Sequence, residues 1–283
     1  MIRILQAGDE SAAEEFLAAR ADTSMFLRAN LRRAGFAPGV EEGQGTWAAE
    51  FNGDRIAAIA AHFWNGMLLL QSPRSLEAVA REALRASGRK LRGLSGPWEQ
   101  VIAARDALVP GRTLSDDRDG LYALSLDALQ VPARLASGEV ICRQPRASEL
   151  GICAEWRIDY LVETRLGEPG PALRAAAYEG VDQAHQRGDD YVLEEAGALV
   201  AYSTFNARVP GVVQVGGVWT PPAARGRGHG RCVVAGSLLH ARDRGEVRAL
   251  LFTMEANHAA VRAYEALGFR RIGDYGLMLV RGA

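Results

Sequence analysis

The chain has 283 residues, 48% of them hydrophobic, and a formal charge of −1 from 33 Lys and Arg against 34 Asp and Glu. That balance, with no basic tail, argues against a nucleic-acid partner, and no apolar run approaches the ~20 residues needed to span a bilayer. Cys142, Cys153 and Cys232 form no CxxC pair and neighbour no histidine cluster, so neither a metal site nor a disulfide scaffold is expected.

In chain order, residues 2–5 read as a short strand, followed by helices over 11–20 and 24–34. A hairpin follows, with strands 46–51 and 55–64 around Asn52-Gly53, a strong two-residue turn signal. A further strand over 67–71 ends at Ser72-Pro73. The second half restates this order. Strand 140–143 leads to helices 148–166 and 172–186, then to a hairpin of 191–195 and 199–206 around Ala196-Gly197, then to strand 212–219 before Thr220-Pro221. The repetition predicts two lobes, residues 1–132 and 138–283, joined near Val131-Pro132 and Ser137-Gly138. The N-terminal residues Met1 to Leu5 lack a signal-peptide core, and a cytoplasmic location is expected.

The halves differ after the fourth strand. The first continues as Ser72-Pro73-Arg74-Ser75-Leu76-Glu77, without glycine; the second continues from Val218 and Trp219 through Thr220-Pro221-Pro222-Ala223-Ala224-Arg225-Gly226-Arg227-Gly228-His229-Gly230-Arg231 into a predicted helix. Thr220 precedes proline and is biased to extended backbone, while Gly226, Gly228 and Gly230 permit a turn whose N–H groups converge at a helix N-terminus. Those donors suit a pyrophosphate, to which Arg225, Arg227 and Arg231 add positive charge. Downstream, after a strand over 249–254, comes Asn257-x-x-Ala260-x-x-x-Tyr264-x-x-x-Gly268-Phe269. Asn257 is placed to cap a helix that Gly268 ends, and Tyr264, seven residues on, shares its face.

The pattern Arg225-x-x-Gly228-x-Gly230, followed by the Asn257-to-Phe269 run, resembles the GNAT superfamily of N-acyltransferases. The resemblance implies a mixed α/β fold of two GNAT-like lobes, each a mostly antiparallel mixed sheet flanked by helices, the first degenerate and without a phosphate loop. It implies acyl-CoA, acetyl-CoA foremost, as co-substrate, and acyl transfer by direct attack of an amine in a ternary complex. It also assigns roles. The loop from Arg225 to Arg231 would hold the pyrophosphate, His229 with its backbone N–H. The strand run Val218, Trp219 and Thr220 would line the pantetheine beside a bulge at Gly216-Gly217, with the Trp219 side chain turned to the opposite face. Asn257 and a necessarily small Ala260 would flank the pantetheine arm, and Tyr264 would protonate the departing thiolate.

The general base is less clearly marked. Glu255 is the first candidate, with Glu194 and Glu195 as others, and His258 is expected to be solvated. The acceptor groove of the resemblance falls on residues 155–174, where Trp156, Arg157, Asp159, Tyr160, Glu163 and Arg165 permit a zwitterionic small molecule, an amino sugar or a peptide end. A small-molecule amine is the first expectation. A protein or peptide N-acetyltransferase and a non-catalytic acyl-CoA sensor are the alternatives, and oligomeric state is left open.

Overall fold

Helical and strand periodicities sort themselves into sheets covered by helices on both faces, because most strands bury side chains on both sides. In the computed structural model, which describes residues 1–111 and 118–280, the elements are β1 (Ile2–Ile4), α1 (Glu10–Ala18), α2 (Met25–Ala34), β2 (Gly45–Asn52), β3 (Arg55–Phe63), β4 (Met67–Gln71), α3 (Leu76–Ser87), β5 (Gly93–Pro97), α4 (Trp98–Leu108) and β6 (Asp119–Ser125). After the short α5 (Ala133–Ala136) come β7 (Val140–Arg143), α6 (Leu150–Glu163), α7 (Pro171–Arg187), β8 (Asp190–Glu195), β9 (Ala198–Val209), β10 (Val212–Trp219), α8 (His229–Asp243), β11 (Arg248–Met254), α9 (His258–Glu265) and β12 (Arg270–Leu279). The order β-α-α-β-β-β-α-β-α-β is thus stated twice, from β1 to β6 and from β7 to β12.

The chain divides into two compact units, one built on the residues before Tyr122 and from Ile272 on, the other on Tyr122–Arg271. In the first unit the strand order is β1-β2-β3-β4-β5-β12, antiparallel except for the parallel pair β4/β5. A parallel pair needs a crossover, and α3 supplies it. Ala58, Ala60, Leu68 and Leu70 pack with Val79 and Val101 on one face, while Ile59, Ala61, Trp47 and Phe63 pack with Phe16, Leu17 and Leu27 on the other.

In the second unit the order is β6-β11-β10-β9-β8-β7, with β7/β8, β8/β9 and β9/β10 antiparallel and β10/β11 parallel across α8. Tyr191, Leu193, Val213 and Val215 meet α8 on one face; Val192, Tyr202 and Trp219 meet Cys153, Trp156 and Val181 of α6 and α7 on the other. Val233, Val234 and Leu238 of α8 are fully buried, each contributing about 1.5–3 kcal/mol, so the N-terminus of this helix is firmly placed. Gly236 lets α8 approach β7 closely, since a Cβ there would overlap the Cys142 side chain. Burial pushes the Cys142 thiol up to about 12, as it does Cys153, and raises Cys232, so these thiols act as apolar filler.

The first hairpin turns at Gly53-Asp54, one residue later than Asn52-Gly53, because Asn52 pairs with Arg55 and Gly53 takes the positive φ of 59°. The second turns at Ala196-Gly197 as expected, both residues at positive φ. The compact units part at Leu121/Tyr122 and again at Arg271/Ile272. Leu126 and Leu129 sink into the core of the second unit, whereas Tyr275–Leu279 pair with Gly93–Pro97 in the first. Gly93 and Gly276 permit that pairing: a Cβ on Gly93 would lie 2.6 Å from the Met278 carbonyl, and one on Gly276 2.9 Å from Val101. Among the described residues no helix is long and apolar enough to cross a membrane, and no group of His, Cys, Asp and Glu is placed to hold a metal.

Candidate functional site

The parallel register of β10 and β11 covers only Val212, Val213 and Gln214 against Arg248, Ala249 and Leu250. Against β9, β10 shifts register between Gln214 and Val215 and again between Gly216 and Trp219, the bulge expected from Gly216-Gly217. Buried Gln214 donates its Nε2 to the Val215 carbonyl at 2.7 Å, satisfying with a side chain an acceptor at the point where the parallel ladder stops. This leaves a wedge beside residues 215–219, directly ahead of the glycine loop. The first unit is closed at the matching place: a Cβ on Gly96 would lie 2.6 Å from the Leu70 carbonyl, and the Ser72 N–H donates to Gln100 Oε1 at 2.6 Å.

Gly226 and Gly228 both sit at φ 78°, and Gly228 caps α8. Gly230 lies instead in the first helical turn, with Thr220 Oγ1 and Val218 beside it. The first amides of α8 have no intrahelical acceptor and carry the positive end of the helix dipole, which favours an anion there. A side-chain network braces the loop. The His229 side chain is enclosed, its Nδ1 donating to the Ala224 carbonyl at 3.0 Å and its Nε2 3.3 Å from Glu195 Oε2. Arg134 of α5 donates to the Arg227 carbonyl at 2.9 Å, to Glu139 at 2.8 Å and to Glu195. His229 therefore contributes its imidazole as a brace, beyond the backbone N–H expected of it.

Two charged groups point elsewhere than expected. Arg225 donates to the Thr220 carbonyl at 2.9 Å and to Glu163 of α6 at 2.9 Å, with its guanidinium 4.7 Å from the Trp219 ring centroid. It ties the loop to α6, leaving Arg227 and Arg231 as the loop cations; Arg231 Nε is buried without a hydrogen-bond partner. Glu255 pairs with Arg271, and both influence Tyr122 on β6, the neighbour of β11 on the side away from β10. The other candidate bases are engaged too: Glu194 accepts from Arg143 at 2.6 Å, and Arg134 holds Glu195 below the usual carboxylate range, helped by His229.

α9 forms where the motif places it. Asn257 Oδ1 accepts the Ala260 N–H at 3.1 Å, a side-chain N-cap. Ala260 is half-buried and His258 exposed. Tyr264 is half-buried, edge-on to Phe269 with centroids 6.0 Å apart. Burial raises its pKa, and the Tyr160 phenol of α6 adds to the shift, so the hydroxyl keeps its proton at neutral pH. Tyr264 packs against the core beneath α8, and the Tyr160 phenol of α6 acts on it electrostatically.

The Trp219 side chain is buried against α6 and α7. Sequence reasoning missed Gln214, Arg134 and Asp190. Asp190 is fully buried, its carboxyl raised to about 6 by burial and opposed by His185, whose Nδ1 lies 3.4 Å away. A carboxylate at a strand start ordinarily reads as solvated, and no local signal marked it.

Residues 153–269 match the model of the acetyltransferase (GNAT) family. The fold of the whole chain is that of GNAT proteins, tandem ones included. A mycothiol acetyltransferase from Thermobispora bispora is 39% identical over 87 residues, 29% of this chain and 30% of that protein. One from Salinispora tropica is 42% identical over 84 residues, 28% of this chain and 27% of that protein. The chain thus matches under a third of these relatives' length. Among solved structures, a tandem GNAT protein from the clavulanic acid biosynthesis pathway superposes with a TM-score of 0.59 at 16% identity, covering 99% of this chain and 98% of that one. A GCN5-related N-acetyltransferase from Kribbella flavida gives 0.60 at 20% identity over 94% and 96%.

Proposed function

We propose that the chain is an acetyl-CoA-dependent N-acetyltransferase that acetylates a primary amine of a small molecule, with the second unit as its working lobe and the first as a degenerate repeat. The observation that carries this reading is the early end of the β10/β11 ladder and the β10 bulge directly ahead of the glycine loop that caps α8. The residues present fit the cofactor. Amides at Gly226 to Arg231, with the buried orphan Nε of Arg231, suit its pyrophosphate; the bulged edge of Val218, Trp219 and Thr220 suits an extended amide chain; Asn257 and the small Ala260 flank it.

Acetyl-CoA supplies an acyl thioester activated toward an amine. Tyr264 holds a proton on Oη at neutral pH and gives it to the departing sulfur. Because Glu255, Glu194 and Glu195 are each ion-paired, deprotonation of the amine falls in this reading to solvent or to a transiently opened Glu255. The small-molecule acceptor here rests on the likeness to relatives named mycothiol acetyltransferases. Calorimetric titration with acetyl-CoA, followed by a CoA-release screen of free amines and lysine peptides, tests the reading. One site per chain and turnover with a free amine support it; no binding to folded protein overturns it.

A further inference from the structure

The acidic side chains of α6 and the arginines around the site are mostly paired. Glu155 takes Arg174 at 2.5 Å and Glu163 takes Arg225, while Arg143 takes Glu149 and Glu194. Arg157 differs. Its Nη1 is buried and has no hydrogen-bond partner, and no carboxylate among the described residues forms an ion pair with it. The guanidinium lies on the β10 bulge, where a Cβ on Gly217 would come within 2.6 Å of Nη1. Its Cζ is 5.2 Å from the Tyr160 ring centroid, and Tyr160 is the phenol that Tyr264 senses. Arg157, Tyr160 and Gly217 therefore share one space at the β10 bulge.

A buried, charged N–H without an acceptor is costly unless a ligand supplies the acceptor. A planar guanidinium supported on an aromatic face matches a carboxylate in particular, by two parallel charge-assisted bonds. We propose that Arg157 is the acceptor-recognition residue, and that it takes an amine carrying a carboxylate on the adjacent carbon, an amino acid or a peptide end presenting one. Gly217 is part of the device, since any side chain there would push the guanidinium out of the space. This rests on the N-acetyltransferase reading for its chemistry, but its test does not require turnover.

N-acetylalanine and N-ethylacetamide differ only in the carboxylate and mimic the two kinds of product. Each is titrated by NMR into the protein with and without CoA. The wild type binds N-acetylalanine at least tenfold more tightly; Arg157→Met abolishes the preference, and Arg157→Lys retains part of it. Intact CoA binding in both variants shows that they are folded. Equal affinity for the two probes in the wild type, or a preference that survives in Arg157→Met, overturns the proposal. Failure of acetyl-CoA to bind, with the carboxylate preference intact, overturns the transferase reading alone.

Discussion

Arg225 and Glu163 meet at 2.9 Å, and through that pair the glycine loop is fastened to α6. Both side chains are substantially exposed, so the pair is worth under about 1 kcal/mol to stability. Its effect is expected in placement. Arg225→Gln and Glu163→Gln should each leave the acetyl-CoA dissociation constant within about threefold while raising KM for the amine. A collapse of cofactor affinity in Arg225→Gln alone would return Arg225 to the phosphates.

Tyr264→Phe keeps the ring that packs on Phe269 and removes the proton. Turnover should fall by about 10²-fold or more, with acetyl-CoA affinity within threefold, measured by CoA release and calorimetry. Unchanged turnover would remove Tyr264 from the chemistry.

Glu255→Gln should cost less than about tenfold in kcat/KM, because its carboxylate is committed to Arg271 on the β6 side of β11. A loss as large as that of Tyr264→Phe would show that the ion pair opens and that Glu255 is the base.

Gly228→Ala forces an L-residue to φ 78°, at a cost of about 1–2 kcal/mol, with open space around the new methyl. Acetyl-CoA binding should weaken about tenfold, as the loop relaxes away from the left-handed turn. Gly230→Ala, at a helical φ, should do much less, and equal effects would mean that the loop's shape is unrelated to cofactor binding.

Asp190 predicts a pH dependence of stability. Its folded-state pKa of about 6 lies above the unfolded value near 4, so between these pH values the folded chain binds the extra proton. Stability therefore falls as pH rises from about 4 to 6, by an amount on the order of 1–3 kcal/mol, the opposing His185 contact being already contained in that pKa. Asp190→Asn should flatten that segment of the denaturation profile, read by urea unfolding at a series of pH values. An unaltered profile would place the titration elsewhere.

Local chemistry carried much of the site. The positive φ at Gly226 and Gly228, the Asn257 cap, the bulge at Gly216-Gly217 and the doubled order of helices and strands follow from backbone sterics and period, which act over a few residues and are written in the chain. Tertiary structure alone decided the rest. Alternation along 275–280 says which face is buried but not that the strand joins β5. An arginine in a loop announces charge but not that Arg225 turns to Glu163 while Arg157 stays unpaired over Gly217. Partners brought together across 62 residues, like Glu163 and Arg225, or across 180, like Ser95 and Tyr275, are selected by packing in three dimensions, and no local propensity encodes that choice.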